Sequence, residues 1–164
     1  MKNRRPTPEF RAVCNAADIM AGRYAYQGKV SRILDAILEG TDAHRGVLRI
    51  YDAKDKGIRL VHMSLRDIKH PPIIEIHSPK TGKTGEVFQS GKTLVENDLV
   101  KAGVAGVTRD AGLKAMVVVP VKRAGKTIGT VDISSKNLGN WTPSRVRAAE
   151  AVTALLAALE GAKA

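Results

Sequence analysis

Three Gly-Lys-Thr tripeptides, beginning at Gly82, Gly91 and Gly125, are the first residues whose types suggest chemistry. A glycine followed by a lysine and a hydroxyl is what a phosphate-binding loop uses. Such a loop also needs a glycine five residues upstream, and those positions hold His77, Glu86 and Pro120. All three therefore read as turns with exposed lysines. His62, His70 and His77 have no cysteine or close carboxylate pattern to complete a metal site, and no metal is expected. No Ser–His–Asp order or spaced pair of carboxylates points to catalysis, so a non-enzyme is expected. What remains is recognition. Arg49, Tyr51, His62, Thr130, Asp132 and Ser134, with Arg109 from an irregular segment, supply charges, donors and acceptors suited to holding a small polar or anionic molecule. Nothing in these residues names a cofactor.

Elements of definite type must position that set. Between Pro8 and Gly22, Phe10, Val13, Cys14, Ala17 and Met20 recur at helical steps, and Val30, Ile33, Leu34, Ile37 and Leu38 repeat the rule with Gly40 as a stop. From Gly46 the period changes to two, which predicts a strand to Asp52, a turn over Ala53 to Gly57 and a partner strand from Ile58 to Leu65. Arg66 to Gly112 is irregular, with a short helix expected over Lys83 to Gln89 and a short strand over Thr93 to Glu96. Ala115 to Lys122 and Thr127 to Ser135 read as a second hairpin about a turn at Arg123 to Lys126. Thr142 caps a last helix with Pro143 at its first position and Val146, Ala149, Val152, Leu156 and Leu159 as its seam. The order implies an α+β fold, a central antiparallel sheet of five to six strands with N- and C-terminal helices on one face.

Alternation then assigns faces. If Leu48 and Ile50 meet the helices, Val47, Arg49 and Tyr51 point to the other side. There the neighbouring strand offers Thr130, Asp132 and Ser134 while Val131 and Ile133 enter the core, and His62 can join from the second strand, between Val61 and Met63. Unpaired buried polar groups cost roughly 1–3 kcal/mol each. That face is therefore either a solvated surface with an Arg49–Asp132 ion pair or a pocket that holds a polar ligand. Gly129 leaves room on one sheet face for core side chains or for a ligand.

The segment Gly82-Lys-Thr-Gly-Glu-Val-Phe-Gln-Ser-Gly-Lys-Thr-Leu-Val-Glu-Asn-Asp98 is followed by two more matching blocks. These are Leu113-Lys-Ala-Met-Val-Val-Val-Pro-Val121 and Gly125-Lys-Thr-Ile-Gly-Thr-Val-Asp-Ile133, and Trp141-Thr-Pro then leads into the last helix. In this order they resemble the GAF domain family over about Val30 to Gly161. The resemblance implies a GAF/PAS-like domain over residues 28–164, preceded by a basic segment and a packing helix over 1–27. It also implies a loop-roofed pocket on the non-helical face, with Gly103 to Gly112 in the roof, and a sensor that reports ligand occupancy to an output protein in trans. Family members often dimerise through terminal helices, so a homodimer through the first and last helices is expected, which a monomer in sedimentation at high concentration would refute. Members that reduce free methionine sulfoxide use cysteines around the pocket. Cys14, the single cysteine, lies in the first helix, which disfavours that activity.

Composition bounds these readings. One domain fits 164 residues, and the longest apolar stretch, Ala115 to Val121, is far short of the roughly 20 residues a membrane span needs. With a lone cysteine and no apolar leader, a cytoplasmic location is expected. Lysine and arginine number 27 against 16 acidic residues, a net charge of +11 that favours anionic company. The cations are scattered along the chain, and aromatics make up only 4% of it, so nucleic acid is a less favoured partner than a small effector. The alternative is a basic module with a degenerate pocket that docks nucleic acid or an acidic protein.

Overall fold

Capping residues stand where the first and last helices begin, and in the computed structural model, which describes residues 5–69, 73–104 and 111–163, they do so by accepting backbone N–H groups. The Thr7 hydroxyl accepts from Phe10 N at 3.3 Å to open α1 (Pro8–Ala21), and Thr142 accepts from Arg145 N at 3.3 Å to open α4 (Pro143–Gly161). Between them lie α2 (Tyr26–Gly40) and α3 (Gly82–Ser90). The strands are β1 (Arg45–Asp52), β2 (Gly57–Leu65), β3 (Ile76–His77), β4 (Leu94–Glu96), β5 (Ala115–Arg123) and β6 (Lys126–Ser135). They form one antiparallel sheet in the order β3-β2-β1-β6-β5-β4, the α+β architecture expected, with six strands.

Period-two alternation in β5 and β6 serves two cores. Val117, Val119, Val121, Val131 and Ile133 join Leu48 and the buried faces of α1, α2 and α4 in the main core. Each large side chain such as Ile33 or Ile37, fully buried there, contributes roughly 1.5–3 kcal/mol. Met116 and Val118 point the other way and meet Val87 of α3 with Leu99 and Leu113, a smaller core beneath the roof. Thus three helices cover one face and α3 covers the other.

Two helical details differ from the sequence reading. The buried residues of α1 are Ala12 and Ala16, with Val13, Ile19 and Met20 packed against the core, whereas Phe10, Cys14 and Ala17 are exposed. Close packing of backbones decides this: a Cβ at Gly40 would lie 2.4 Å from the Ala12 Cβ and 2.9 Å from Pro8 O, so α1 turns its small residues inward. Gly40 is accordingly a contact residue at the end of α2 and not a left-handed stop, and the positive φ falls at Asp42.

Gly129 is a similar correction. Its absent side chain leaves no space, because a Cβ there would stand 2.1 Å from the Arg49 carbonyl oxygen and 2.8 Å from Ile50 Cδ1. The bare glycine lets β6 approach β1. Ala124 and Gly125, both with positive φ, close the β5–β6 hairpin as a two-residue turn. Pro120 lies beyond the reach of β4, which pairs only with Met116 to Val118.

His44 is buried where β1 begins, its Nδ1 accepting from Lys136 N at 3.2 Å with the Ser135 hydroxyl 3.3 Å away. Burial first, and then the Arg66 guanidinium nearby, hold its pKa below the ordinary histidine range. The unfolded chain therefore takes up this proton before the folded one does, and the contribution is complete above about pH 6.5 and lost on acidification. Urea titrations at successive pH values should show stability falling as the pH drops below about 6.5, and His44→Asn, whose amide oxygen replaces Nδ1 without titrating, should flatten that part of the fall. Gly129→Ala should destabilise by roughly 3 kcal/mol, since backbone cannot yield as a side chain does. Gly161→Ala, with nothing within 4 Å, should be neutral or stabilise by up to about 1 kcal/mol in the same titrations.

Candidate functional site

β1 and β6 run side by side through the middle of the sheet, and their register builds the site. On the roofed face Arg45 stands opposite Ser134, Val47 opposite Asp132 and Arg49 opposite Thr130. Asp132 therefore sits diagonally between two arginines that lie four residues apart on one strand. Arg49 Nη1 donates to Asp132 Oδ2 at 3.0 Å, and the Thr84 hydroxyl on α3 donates to the same oxygen at 2.8 Å. Arg49 Nη2 also reaches Ile74 O at 3.4 Å.

These groups are out of water. Arg45 is 7% exposed, Arg49 3% and Asp132 8%. Among the described residues Arg45 has neither an ion-pair partner nor a side-chain hydrogen bond, so two buried guanidiniums stand beside one carboxylate that pairs with Arg49 alone. Burial, and next the proximity of Arg49, push the Arg45 pKa down. An arginine does not give up its proton in a protein, so the strain stays as unbalanced positive charge. Buried side-chain atoms without a partner cluster here: Arg45 Nε, Arg49 Nε, Thr130 Oγ1 and Asp132 Oδ1, with Trp141 Nε1 elsewhere.

The side chains enclose a cavity of about 70 Å³ lined by Arg45, Arg49, Asp132 and Ser134 from the sheet, Thr84 from α3, and His77, Ile74 and Met116. A water needs about 10–15 Å³ of such space, so a molecule of a handful of non-hydrogen atoms fits. Larger recesses, about 830 Å³ between β5 and α4 and about 490 Å³ beside Tyr51, open on the surface and contain none of the orphaned polar atoms. Among the described residues no group of three or more His, Cys, Asp or Glu is placed to hold a metal ion.

Of the residues singled out in the sequence, Arg49, Asp132 and Ser134 line the cavity together. The Arg49–Asp132 pair forms, and it is buried and not solvated. Thr130 is fully buried beside Arg49 without lining the space. Tyr51 lies away from it, 39% exposed and stacked on Phe88 with ring centroids 5.4 Å apart. His62 is displaced by a β-bulge: the extra residue Val61 between Leu60, which pairs with Arg49, and His62 shifts His62 opposite Leu48, on the register row that faces the helices. Arg109 lies outside the described residues, as do His70 and part of the expected roof. The sequence reading missed Arg45, Thr84 and His77. Arg45 continues the period-two face of Arg49 one residue before the assumed strand start, and Thr84 was set aside with its Gly-Lys-Thr tripeptide.

The family model described as GAF domain matches residues 29–159. The chain belongs to the GAF domain family. Solved structures agree on the fold. The GAF domain of a Coxiella burnetii phosphoenolpyruvate-protein phosphotransferase superposes with a TM-score of 0.79 at 12% identity, covering 94% of this chain and 94% of that one. Free methionine-R-sulfoxide reductase from Neisseria meningitidis, in complex with its substrate, gives 0.78 at 15% identity over 94% and 89%. The GAF domain of an Acinetobacter phosphoenolpyruvate-protein phosphotransferase gives 0.76 at 10% identity over 96% and 95%. No curated protein matches. GAF domains are commonly small-molecule-binding signalling domains, and a cavity on the roofed face of this one has the ingredients of a binding site.

Removing the Asp132 carboxylate should be costly. Asp132→Ala leaves two buried guanidiniums with no counter-charge, and urea unfolding should show a loss of about 3–5 kcal/mol. Arg45→Met, which replaces the unpartnered charge by an apolar chain of similar length, should leave the protein as stable or up to about 2 kcal/mol more stable.

Proposed function

We propose that this GAF domain is a sensor of a small anionic molecule, held between Arg45 and Arg49 in the buried cavity. The observation that carries this reading is the two-to-one ratio of buried guanidiniums to carboxylates among the cavity residues. An anion of a few atoms would accept from the unpartnered Arg45 and from Arg49, while Ser134 and Thr84 offer hydroxyls at the margin. The cavity volume favours a compact oxyanion, such as a short carboxylate or nitrate, over a nucleotide.

The signal would pass through α3. That helix is tied to the site by the Thr84–Asp132 bond and to β4 by Lys83 and Glu96 at 3.1 Å. An anion that draws Arg49 away from Asp132 alters what holds the helix, and an output protein in trans would read that change. A binding role is favoured over a reductase because Cys14, the single cysteine, is exposed on α1, on the helix-covered side of the sheet.

Thermal unfolding in formate, acetate, nitrate and phosphate tests the reading. A ligand at about 100 times its Kd stabilises by about 2.7 kcal/mol, which at about 2–4 °C per kcal/mol is a rise in Tm of about 5–10 °C. At least one of these anions should produce that rise, and Arg45→Met should abolish it. No shift from any of them at about 50 mM would overturn the assignment.

A further inference from the structure

Cations that are scattered in the sequence are gathered by the fold. β1 pairs antiparallel with β6, and β6 with β5, so the β1–β2 and β5–β6 turns lie at the same end of the sheet. The first turn carries Lys54 and Lys56, and the second hairpin carries Lys122, Arg123 and Lys126, all exposed. The end of α3 delivers Lys92 to the same place, since Gly91 packs against Lys122 and Thr127. Lys80 stands across a recess from Lys126. Among the described residues none of these cations is in an ion pair. Of the carboxylates nearby, Asp52 and Asp55 are paired with Arg59, while Glu150 accepts from the Thr93 hydroxyl at 2.7 Å and is one negative charge in the wall of the larger recess, against Lys92, Lys122 and Arg123.

Two recesses share the β5–β6 hairpin as a wall. One, about 490 Å³, is lined by Tyr51 and Phe88 together with Lys80 and Lys126. The other, about 830 Å³, runs between Lys122 and Arg123 on one side and the small residues Ala154, Ala158 and Gly161 of α4 on the other. Phe88 braces one face of Tyr51 in a near-parallel stack, interplanar angle 25°, and so presents a fixed aromatic group beside the lysines.

We propose that this end of the sheet binds single-stranded nucleic acid, whose phosphates follow the hairpin cations while an unpaired base packs into the Tyr51–Phe88 recess. Cations supply the sequence-independent attraction, and an exposed aromatic adds stacking that only an unpaired base can use. A membrane surface fits less well. Of the large exposed apolar residues, Phe10, Val100 and Leu138 lie off these turns, and Tyr51 with Ile76, which packs on Gly57 at the edge of the first turn, would make only a small wedge. The site is separate from the arginine cavity, and the proposal stands whether or not that cavity binds an anion.

Fluorescence anisotropy with a labelled oligodeoxythymidylate of about 20 nucleotides tests it. Saturable binding is expected at about 50 mM KCl, with the log of the affinity falling linearly with the log of salt. The exposed-turn variant Lys122→Gln/Arg123→Gln/Lys126→Gln should lower the magnitude of that slope by about 2, at about 0.7 per phosphate contact on a single strand. Tyr51→Leu should weaken binding at least about fivefold without changing the slope, and Tyr51→Phe should restore it. The proposal is overturned by no binding at about 100 μM protein, by indifference to Tyr51→Leu, or by equal or tighter binding to a duplex of the same length, to polyglutamate or to phosphatidylserine vesicles. The hairpin variant reads the charge contribution independently of any packing change at Tyr51.

Discussion

The carboxylate of Asp132 is the constraint around which the roofed half of this protein is arranged. Both faces of the sheet are otherwise apolar at their centres, Val131 and Ile133 toward the helices and Met116 and Val118 toward the roof. Two arginines placed in that setting cannot neutralise themselves by losing a proton. Their charge has to be met by geometry. Asp132 meets that of Arg49 from a strand 83 residues further along the chain, which requires β1 and β6 to be neighbours, and Thr84 donates to the same oxygen from above. Even so, among the described residues, one oxygen of Asp132 and both arginine Nε atoms stay unpartnered. Natural interiors seldom leave such groups unmet unless something else meets them.

Register is what keeps that arrangement possible. Arg45, Val47 and Arg49 share a face only while β1 holds its pairing with β6, and a slip of one residue would drive both guanidiniums into the main core. Gly129 secures the pairing by allowing β6 to approach the Arg49 carbonyl more closely than any side chain permits. Isolated strand alternation would leave such a slip free. Burial of Leu48 under the helices fixes the phase from the other side. The polar site is thus aligned by the apolar face it does not touch.

The elements were legible because each carries its own period and its own punctuation, from Thr7 and Thr142 at helix starts to Gly125 in the second turn. Arg49, Asp132 and Ser134 were legible for the same reason, as alternate residues of strands whose other face is plainly apolar. What was hidden depends on contacts between distant segments. Nothing local announces the bulge at Val61 that moves His62 off the cavity face, nor the backbone approach that turns Ala12, and not Cys14, toward α2. Thr84 gains its meaning only when α3 is laid over β6. Charge was hidden in the same way: lysines far apart in the chain became neighbours because antiparallel pairing returns two hairpin turns to one end of the sheet.

Helix α3 is the element that touches both the buried arginine pair and the exposed aromatic recess. Thr84 and Phe88 are four residues apart, one turn along the same face, with Thr84 bonded to Asp132 and Phe88 stacked on Tyr51. A helix of nine residues is too short to bend between those points, so a displacement that breaks the first contact also shifts the second. Its N-terminal half closes the cavity, and its C-terminal cap at Gly91 rests on the basic hairpin through Thr127 and Lys122. The two regions lie at opposite ends of one rigid lever, which is held over the sheet by the Thr84 hydroxyl bond, the Lys83–Glu96 ion pair to β4, one aromatic stack and the packing of Val87 into the smaller core. That economy of contacts is what makes α3, more than the three helices buried on the far face, the part of the fold whose position depends on what occupies the space beneath it.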